Sequence, residues 1–352
     1  MKLSDWGSIP EYTLAEGETL GRVTEEQRTN YTVVTEQGPL TAQLSGKLLH
    51  PQVDRLDRPV VGDWVAVRAL WSEGKAVVQR VLPRKSLLKR KAAGETEAIQ
   101  PLAANVDLTF IVTSMNRDFN AKRLDRYLTI AHGSGSRAAI LLTKSDLEPG
   151  SAALAEDLAA KHGVPCLALS ALMGEGLEPL KELLKPKETV VFVGSSGVGK
   201  STLVNALLGR EEQATSAVRE DDDRGRHTTT SRRLIPAAGN CLLIDTPGLR
   251  EIQLDASQEE GLEESFAGVE ELALSCKFTN CAHESEPGCG VKAALKSGAL
   301  TDEQYQSYLK LKRELRAQAR KTDKALASED KKKWKAIGKI GRERMKHKRG
   351  ED

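Results

Sequence analysis

The chain has 352 residues, 39% of them apolar and 4% aromatic, and a net charge of +2. Its length exceeds one ordinary core, so two or three domains are expected, and no apolar run is long enough to span a bilayer. The start, MKLSDWGSIPEYTLAEGE, lacks the basic-then-apolar layout of a secretion signal, and five cysteines in such a chain argue against a disulfide framework, so a cytoplasmic protein with no membrane partner is expected.

From about Gly21 to Pro83, short β-prone runs alternate with turn residues: GRV, NYTVVTEQG, PLTAQLSG, PVVGDWVAVRAL and GKAVVQRVLP. Strands this short, punctuated by Gly and Pro, predict a small closed barrel of OB type, an SH3-like barrel being the alternative. Residues 84–100, RKSLLKRKAAGETEAIQ, read as an exposed connector. From Asn105 the rhythm becomes strand, helix, strand: VDLTFIVTSM, AKRLDRYLTIAHG, RAAILLTKSD, SAALAEDLAAKHG, VPCLALSA, LEPLKELLK, TVVFV and NCLLID. That alternation predicts an α/β domain, a largely parallel sheet with helices on both faces. After residue 257 the strands stop and helix-favouring, charged sequence follows. The expected division is 1–98 for a barrel with its extension and linker, 99–257 for the α/β domain, and 258–352 for a helical domain with a basic tail.

The charge is unevenly spread. Between Lys310 and Arg349 there are 17 Lys+Arg against five Asp+Glu, so the remainder of the chain is net acidic. An excess of +12 around Trp334, beside a barrel of OB type, points to RNA as the partner, with strongly salt-dependent binding.

GSSGVGKST has the spacing of a phosphate-binding loop: Gly194, Gly197 and Gly199 let the backbone curl, and the amides of Ser195, Ser196 and Val198 turn inward. Lys200 would neutralise the β- and γ-phosphates, Ser201 would ligate Mg²⁺, and Thr202 completes the first turn of a helix. TVVFV before the loop and TLVNALLG after it supply the strand and the helix that the motif needs. DTPG, Asp245 to Gly248, ends an apolar strand, where open α/β sheets place their ligands. TKSD, Thr143 to Asp146, suits guanine: Asp146 can accept hydrogen bonds from N1 and N2, Lys144 can pack along the base, Ser145 lies between them, and Thr143 stands where Asn is commonest. The next strand ends in SAL, whose Ser170 and Ala171 can offer a backbone amide to the guanine carbonyl.

The base motif thus precedes the phosphate loop, the reverse of the usual order. Joining the ordinary ends of such a sheet and cutting after the DTPG strand yields this order without moving any strand, so a circular permutation is expected.

Cys276, Cys281, His283 and Cys289 form C-x4-C-x-H-x5-C, a donor set suited to one structural tetrahedral Zn²⁺. Cys166 and Cys241 sit in apolar runs and read as core residues.

Together PVVGDWVAV, QPLAANVD, TKSD, GSSGVGKST, GRHTTT, DTPG and the metal cluster closely resemble the circularly permuted, ribosome small-subunit-dependent GTPase A family. The resemblance covers almost the whole chain. It implies GTP hydrolysis stimulated by the small ribosomal subunit, contact with its rRNA, and a role in late maturation of that subunit; other assembly factors are further partners, and a monomer is expected. The residue after DTPG is Leu249, which cannot orient water as Gln does. The resemblance assigns the catalytic role to His227 in the loop RGRHTTT. One of Thr228, Thr229 and Thr230 would complete the Mg²⁺ shell; Thr229 is taken as that ligand, although spacing does not choose among them. An ATP-dependent P-loop enzyme is disfavoured by TKSD, and a passive RNA binder with a degenerate pocket by intact Lys200, Ser201 and Asp245.

Overall fold

The computed structural model describes residues 2–27, 30–50, 52–91, 99–115, 119–209, 232–245, 259–284 and 286–322. His227, Thr228, Thr229 and Thr230, the end of the DTPG turn with Gly248 and Leu249, and the basic tail with Trp334 lie outside the described residues.

Five strands build the barrel: β1 (Thr19–Glu26), β2 (Tyr31–Thr35), β3 (Gly38–Leu44), β4 (Trp64–Leu70) and β5 (Lys75–Val81), with the one-turn helix α1 (Gly46–Leu49) after β3. They pair in the order β1-β2-β3-β5-β4, and β4 returns to β1 and closes the barrel. All pairs are antiparallel except β3 with β5, the arrangement of an OB barrel. The alternation seen in the sequence turns Val23, Val33, Leu40, Val65, Val67 and Val78 inward as one core.

The reading of 84–100 as an exposed connector is corrected. Within it, β6 (Leu87–Lys91) pairs antiparallel with β7 (Ile99–Ala104), and Leu88 and Leu102 are buried in the main core. The basic residues of LLKRK masked a strand that buries Leu88. This ribbon straddles the expected limit at residue 98.

The α/β part follows with β8 (Leu108–Ser114), α2 (Ala121–Gly133), β9 (Arg137–Thr143), α3 (Ser151–His162), β10 (Cys166–Leu169), α4 (Leu177–Glu182), β11 (Thr189–Val193), α5 (Lys200–Leu208), β12 (Arg232–Pro236) and β13 (Leu242–Asp245). Its strands run β10-β9-β8-β11-β13-β12, all parallel except β12. The strand β11, which leads into the phosphate loop, is central although it is the fourth of these strands in the chain. That combination is the circular permutation: β11 is reached through α4 from β10, and β8 is entered from the barrel side. Successive residues alternate between two cores. Ile111, Ile140 and Val191 face α2 and α3, while Phe110, Leu141 and Phe192 face α4 and α5, where the two Phe rings stack at 5.1 Å.

Four helices complete the described chain: α6 (Glu259–Ser265), α7 (Ala267–Leu274), α8 (Gly290–Ser297) and α9 (Asp302–Thr322). They form a third layer over α2, sharing its core through Leu262, Phe266, Tyr308 and Leu311. No helix among the described residues is long and apolar enough to cross a membrane.

Two of the sequence motifs meet at the junction of barrel and sheet. Asn105, in the left-handed region at φ 55° and buried, donates from Nδ2 to the Gly62 carbonyl at 2.9 Å and accepts from Lys85 N at 3.1 Å. Asp63, fully buried, accepts from Arg84 Nε and Nη2 at 2.7 Å each and from Val60 N at 2.8 Å. The GDW and AANVD segments are thus halves of one joint. A further link runs from the barrel to the start of β11: Arg22 is stacked on Trp64 and donates to Thr189 Oγ1 at 3.2 Å.

Candidate nucleotide site and metal centre

β11 is five buried residues, TVVFV, and delivers the chain to Gly194 at the C-terminal edge of the sheet. Gly194 has φ 149°, and a Cβ there would lie 2.2 Å from the Val112 carbonyl of β8, so no side chain fits. Gly197 and Gly199 also have positive φ, at 77° and 93°, and Gly199 caps α5, which opens with Lys200, Ser201 and Thr202. Ser195 is half-buried, Ser196 and Gly197 are exposed, and Val198 is buried beneath the loop. Lys200 Nζ donates to the carbonyls of Gly194, at 2.8 Å, and of Ser195, so its ammonium lies across the loop.

TKSD closes on this loop. Thr143, the last residue of β9 and 3% exposed, donates from Oγ1 to the Val198 carbonyl at 2.6 Å and stands 3.2 Å from the Thr113 carbonyl of β8. A hydroxyl therefore supplies the bond for which an Asn amide is the commoner donor. Lys144 adopts the left-handed conformation at φ 61° and starts a single turn holding Ser145 and Asp146. On the neighbouring strand, Ser170 is buried and exchanges backbone hydrogen bonds of 3.0 Å with Glu175, which pinches off the loop that holds half-buried Ala171. Asp245 is half-buried at the end of β13, beside β11. The described members of the expected site therefore converge on one edge of the sheet. A separate cavity of about 400 Å³, lined by Asp5, Lys187, Pro236 and Cys241 among others, opens at the opposite end of these strands.

One neighbour was not anticipated from the sequence. Arg123, in the first turn of α2, donates from Nη1 to Ser195 Oγ. Its place was legible only as a charged residue early in a helix, a common occurrence with no functional signal of its own.

The four metal-ligating candidates also converge. The donor atoms of Cys276, Cys281, His283 and Cys289 lie within 4.8 Å of one another. Cys276 and Cys289 sulfurs are 3.9 Å apart, and His283 Nδ1 is 3.5 and 3.4 Å from them. Thiolates bound to a tetrahedral zinc at roughly 2.3 Å stand about 3.8 Å apart, so this set could hold such an ion. Backbone amides of Gly290 and Lys292 donate to the sulfurs of Cys276 and Cys289 at 3.3 and 3.4 Å, as suits thiolates. By contrast, burial pushes the Cys166 thiol up to about 12 and that of Cys241 up to about 11, as expected of core residues.

A model of the RsgA GTPase family matches residues 81–255. A small ribosomal subunit biogenesis GTPase RsgA of Opitutus terrae is 42% identical over 335 residues, spanning 92% of this chain and 91% of its own. The chain belongs to the RsgA GTPase family. A second member of the family, from Lactiplantibacillus plantarum, is 44% identical over 311 residues, 86% of this chain and 85% of that one. A model described as a 50S ribosome-binding GTPase also matches, over 189–327. Among solved structures, YjeQ of Thermotoga maritima is similar with a TM-score of 0.63 and 26% identity, over 85% of this chain and 98% of that one. YloQ, described as a circularly permuted GTPase, shares the fold with a TM-score of 0.62 at 22% identity. As a family member, the chain is a GTP hydrolase with a circularly permuted nucleotide-binding domain.

Proposed function

We propose that this GTPase acts in maturation of the small ribosomal subunit and that bound subunit accelerates its GTP hydrolysis. The observation that carries the reading is the Thr143 to Val198 hydrogen bond, which ties the guanine-reading turn to the phosphate loop so that one nucleotide can span both. In this reading Asp146 accepts from guanine N1 and N2, Lys144 packs along the base, and the Ala171 amide meets the guanine carbonyl, the expected Ser170 amide being taken by the Glu175 carbonyl. The backbone of Gly194 to Gly199 cradles the phosphates, Lys200 neutralises them, Ser201 and Thr229 would hold Mg²⁺, and Asp245 and Gly248 are further nucleotide contacts. Mg²⁺, when bound, supplies charge neutralisation on the phosphates. His227 positions the attacking water in place of the missing Gln.

The subunit assignment is supported by the names of the relatives that span most of the chain. The match described by large-subunit binding covers only 189–327 and is the weaker guide. The basic stretch from Lys310 to Arg349 suits ribosomal RNA as its contact. The Cys₃His set is read as a structural zinc site because protein donors fill all four positions; metal analysis of the purified protein should find one zinc per chain. The deciding measurement is GTP turnover alone, with purified small subunits, and with large subunits. Stimulation by small subunits only, lost in His227→Ala with nucleotide binding kept, is expected; equal rates in all three would overturn the reading.

A further inference from the structure

Helix α2 stands between the phosphate loop and the C-terminal helical layer, and it makes side-chain contact with both within one turn. At its start, Arg123 donates to Ser195 Oγ of the loop. Three residues on, and therefore on the same side of the helix, Arg126 pairs with Glu314 of α9 through both nitrogens, at 2.9 and 2.7 Å. Between them Asp125, buried, accepts from Ser307 Oγ of α9 at 2.5 Å. At the other end of α2 the backbones of the two layers touch: a Cβ on Gly261 would lie 2.3 Å from Gly133 N and from the Thr129 carbonyl. His132 Nδ1 is 3.0 Å from Ser265 Oγ on the same helix, α6. The third layer therefore grips α2 along its length.

We infer that Arg123 is a positioning residue of the nucleotide site, and that Glu314, by holding Arg126 one turn away, sets where Arg123 stands. The C-terminal layer then acts on the phosphate loop through α2. Ser195 follows Gly194, whose backbone packs closely against β8, and its carbonyl and that of Gly194 receive the Lys200 ammonium. A guanidinium on Ser195 thus bears on the part of the loop that carries the lysine. A rigid helix transmits such a bias well, because a shift at Arg126 cannot be absorbed before Arg123, only about 4.5 Å along the axis. The chain leaves β13 for the C-terminal layer, so that layer has a covalent route to the site as well; the α2 route is distinct, since it needs no movement of the DTPG turn.

This inference rests on reading Gly194 to Thr202 as the phosphate loop, so Lys200→Ala is the control for that reading. In the full chain, GDP and GTP affinities and the GDP release rate are measured for Arg123→Ala, Arg126→Glu, Glu314→Arg and the double variant R126E/E314R. Each single change should weaken nucleotide binding about fivefold or more. The double variant restores the ion pair with its charges exchanged and should return affinity most of the way to wild type. Arg123→Lys should fall between Arg123→Ala and wild type. Unchanged affinities in the single variants, while Lys200→Ala loses nucleotide, overturn the inference and leave the phosphate loop standing. A double variant as impaired as the singles overturns the Arg126 to Glu314 link. Full nucleotide binding by Lys200→Ala would instead defeat the reading of the loop, and the inference with it.

Discussion

Thr143 shows how one hydroxyl organises a site. Its bond to the Val198 carbonyl crosses from the base-reading strand to the phosphate loop, and the donor is buried. Thr143→Val keeps the shape and removes the donor, leaving a buried carbonyl short of a partner. The expected cost is about 1 kcal/mol of stability together with weaker GTP binding, and Thr143→Ser should retain both; denaturant unfolding and nucleotide titration check this. Asp146 carries base choice. Asp146→Asn exchanges a charged acceptor for an amide that can also donate, so affinity should move from guanine towards xanthine nucleotides, and unaltered GTP binding would refute the assignment. His162 provides a pH response. Burial pushes its imidazole down to about 4, helped by Lys161 and His132, although Asp125 Oδ1 lies 3.8 Å from Nε2. The unfolded chain takes up this proton near 6.5 while the folded one resists until about 4, so stability should fall as the pH drops through that window and be unaffected above it. The loss is about 3 kcal/mol at most, and urea unfolding at several pH values should show a shallower dependence in His162→Gln.

Among the elements, α2 and α6 make the closest contact of the C-terminal layer with the sheet's helices. Gly261 allows it, since its missing Cβ leaves room for the α2 backbone. Nothing local in QEEGLEESF announces that use; a glycine early in a helix ordinarily reads as a weak point. Gly261→Val should cost about 2 kcal/mol by forcing the helices apart, measured as a lowered unfolding midpoint, whereas the same change at Gly268, where nothing lies within 4 Å, should cost less. The β6–β7 ribbon gives the same lesson. Its charged residues read as a linker, and only the core beneath it shows that Leu88 and Leu102 belong to a sheet. β12 was not anticipated either. Its two arginines pair in register with β1 of the barrel, where Arg232 bonds to Glu26 at 2.9 Å, so its strand character depends on partners distant in the chain.

At the scale of the whole molecule the barrel's side of the junction with the sheet is braced by buried charge. Asp63 has no exposure and relies on Arg84, which also donates to the carbonyls of Leu56 and Arg58. Removing one member leaves the other charge buried and unpaired. Arg84→Met should therefore destabilise the protein by roughly 3 to 5 kcal/mol, whereas Asp63→Asn with Arg84→Met together should cost less than the single change; a double-mutant cycle by thermal unfolding decides.

Much of this protein is written in short-range signals. Gly194, Gly197 and Gly199 need positive φ wherever they occur in such a loop, strand alternation fixes which residues face a core, and the spacing of Cys276, Cys281, His283 and Cys289 limits what chemistry they can do. The order of TKSD and GSSGVGKST was enough to expect the permutation, because strand positions in a sheet do not depend on where the chain is cut. What awaited the tertiary structure were contacts between residues far apart in sequence: Thr143 with Val198, Arg123 with Ser195, Arg126 with Glu314, Asn105 with Gly62. Each is a hydrogen bond or ion pair whose partner is chosen by packing of whole elements, and no local propensity encodes the distance between two surfaces that meet only when the chain has folded.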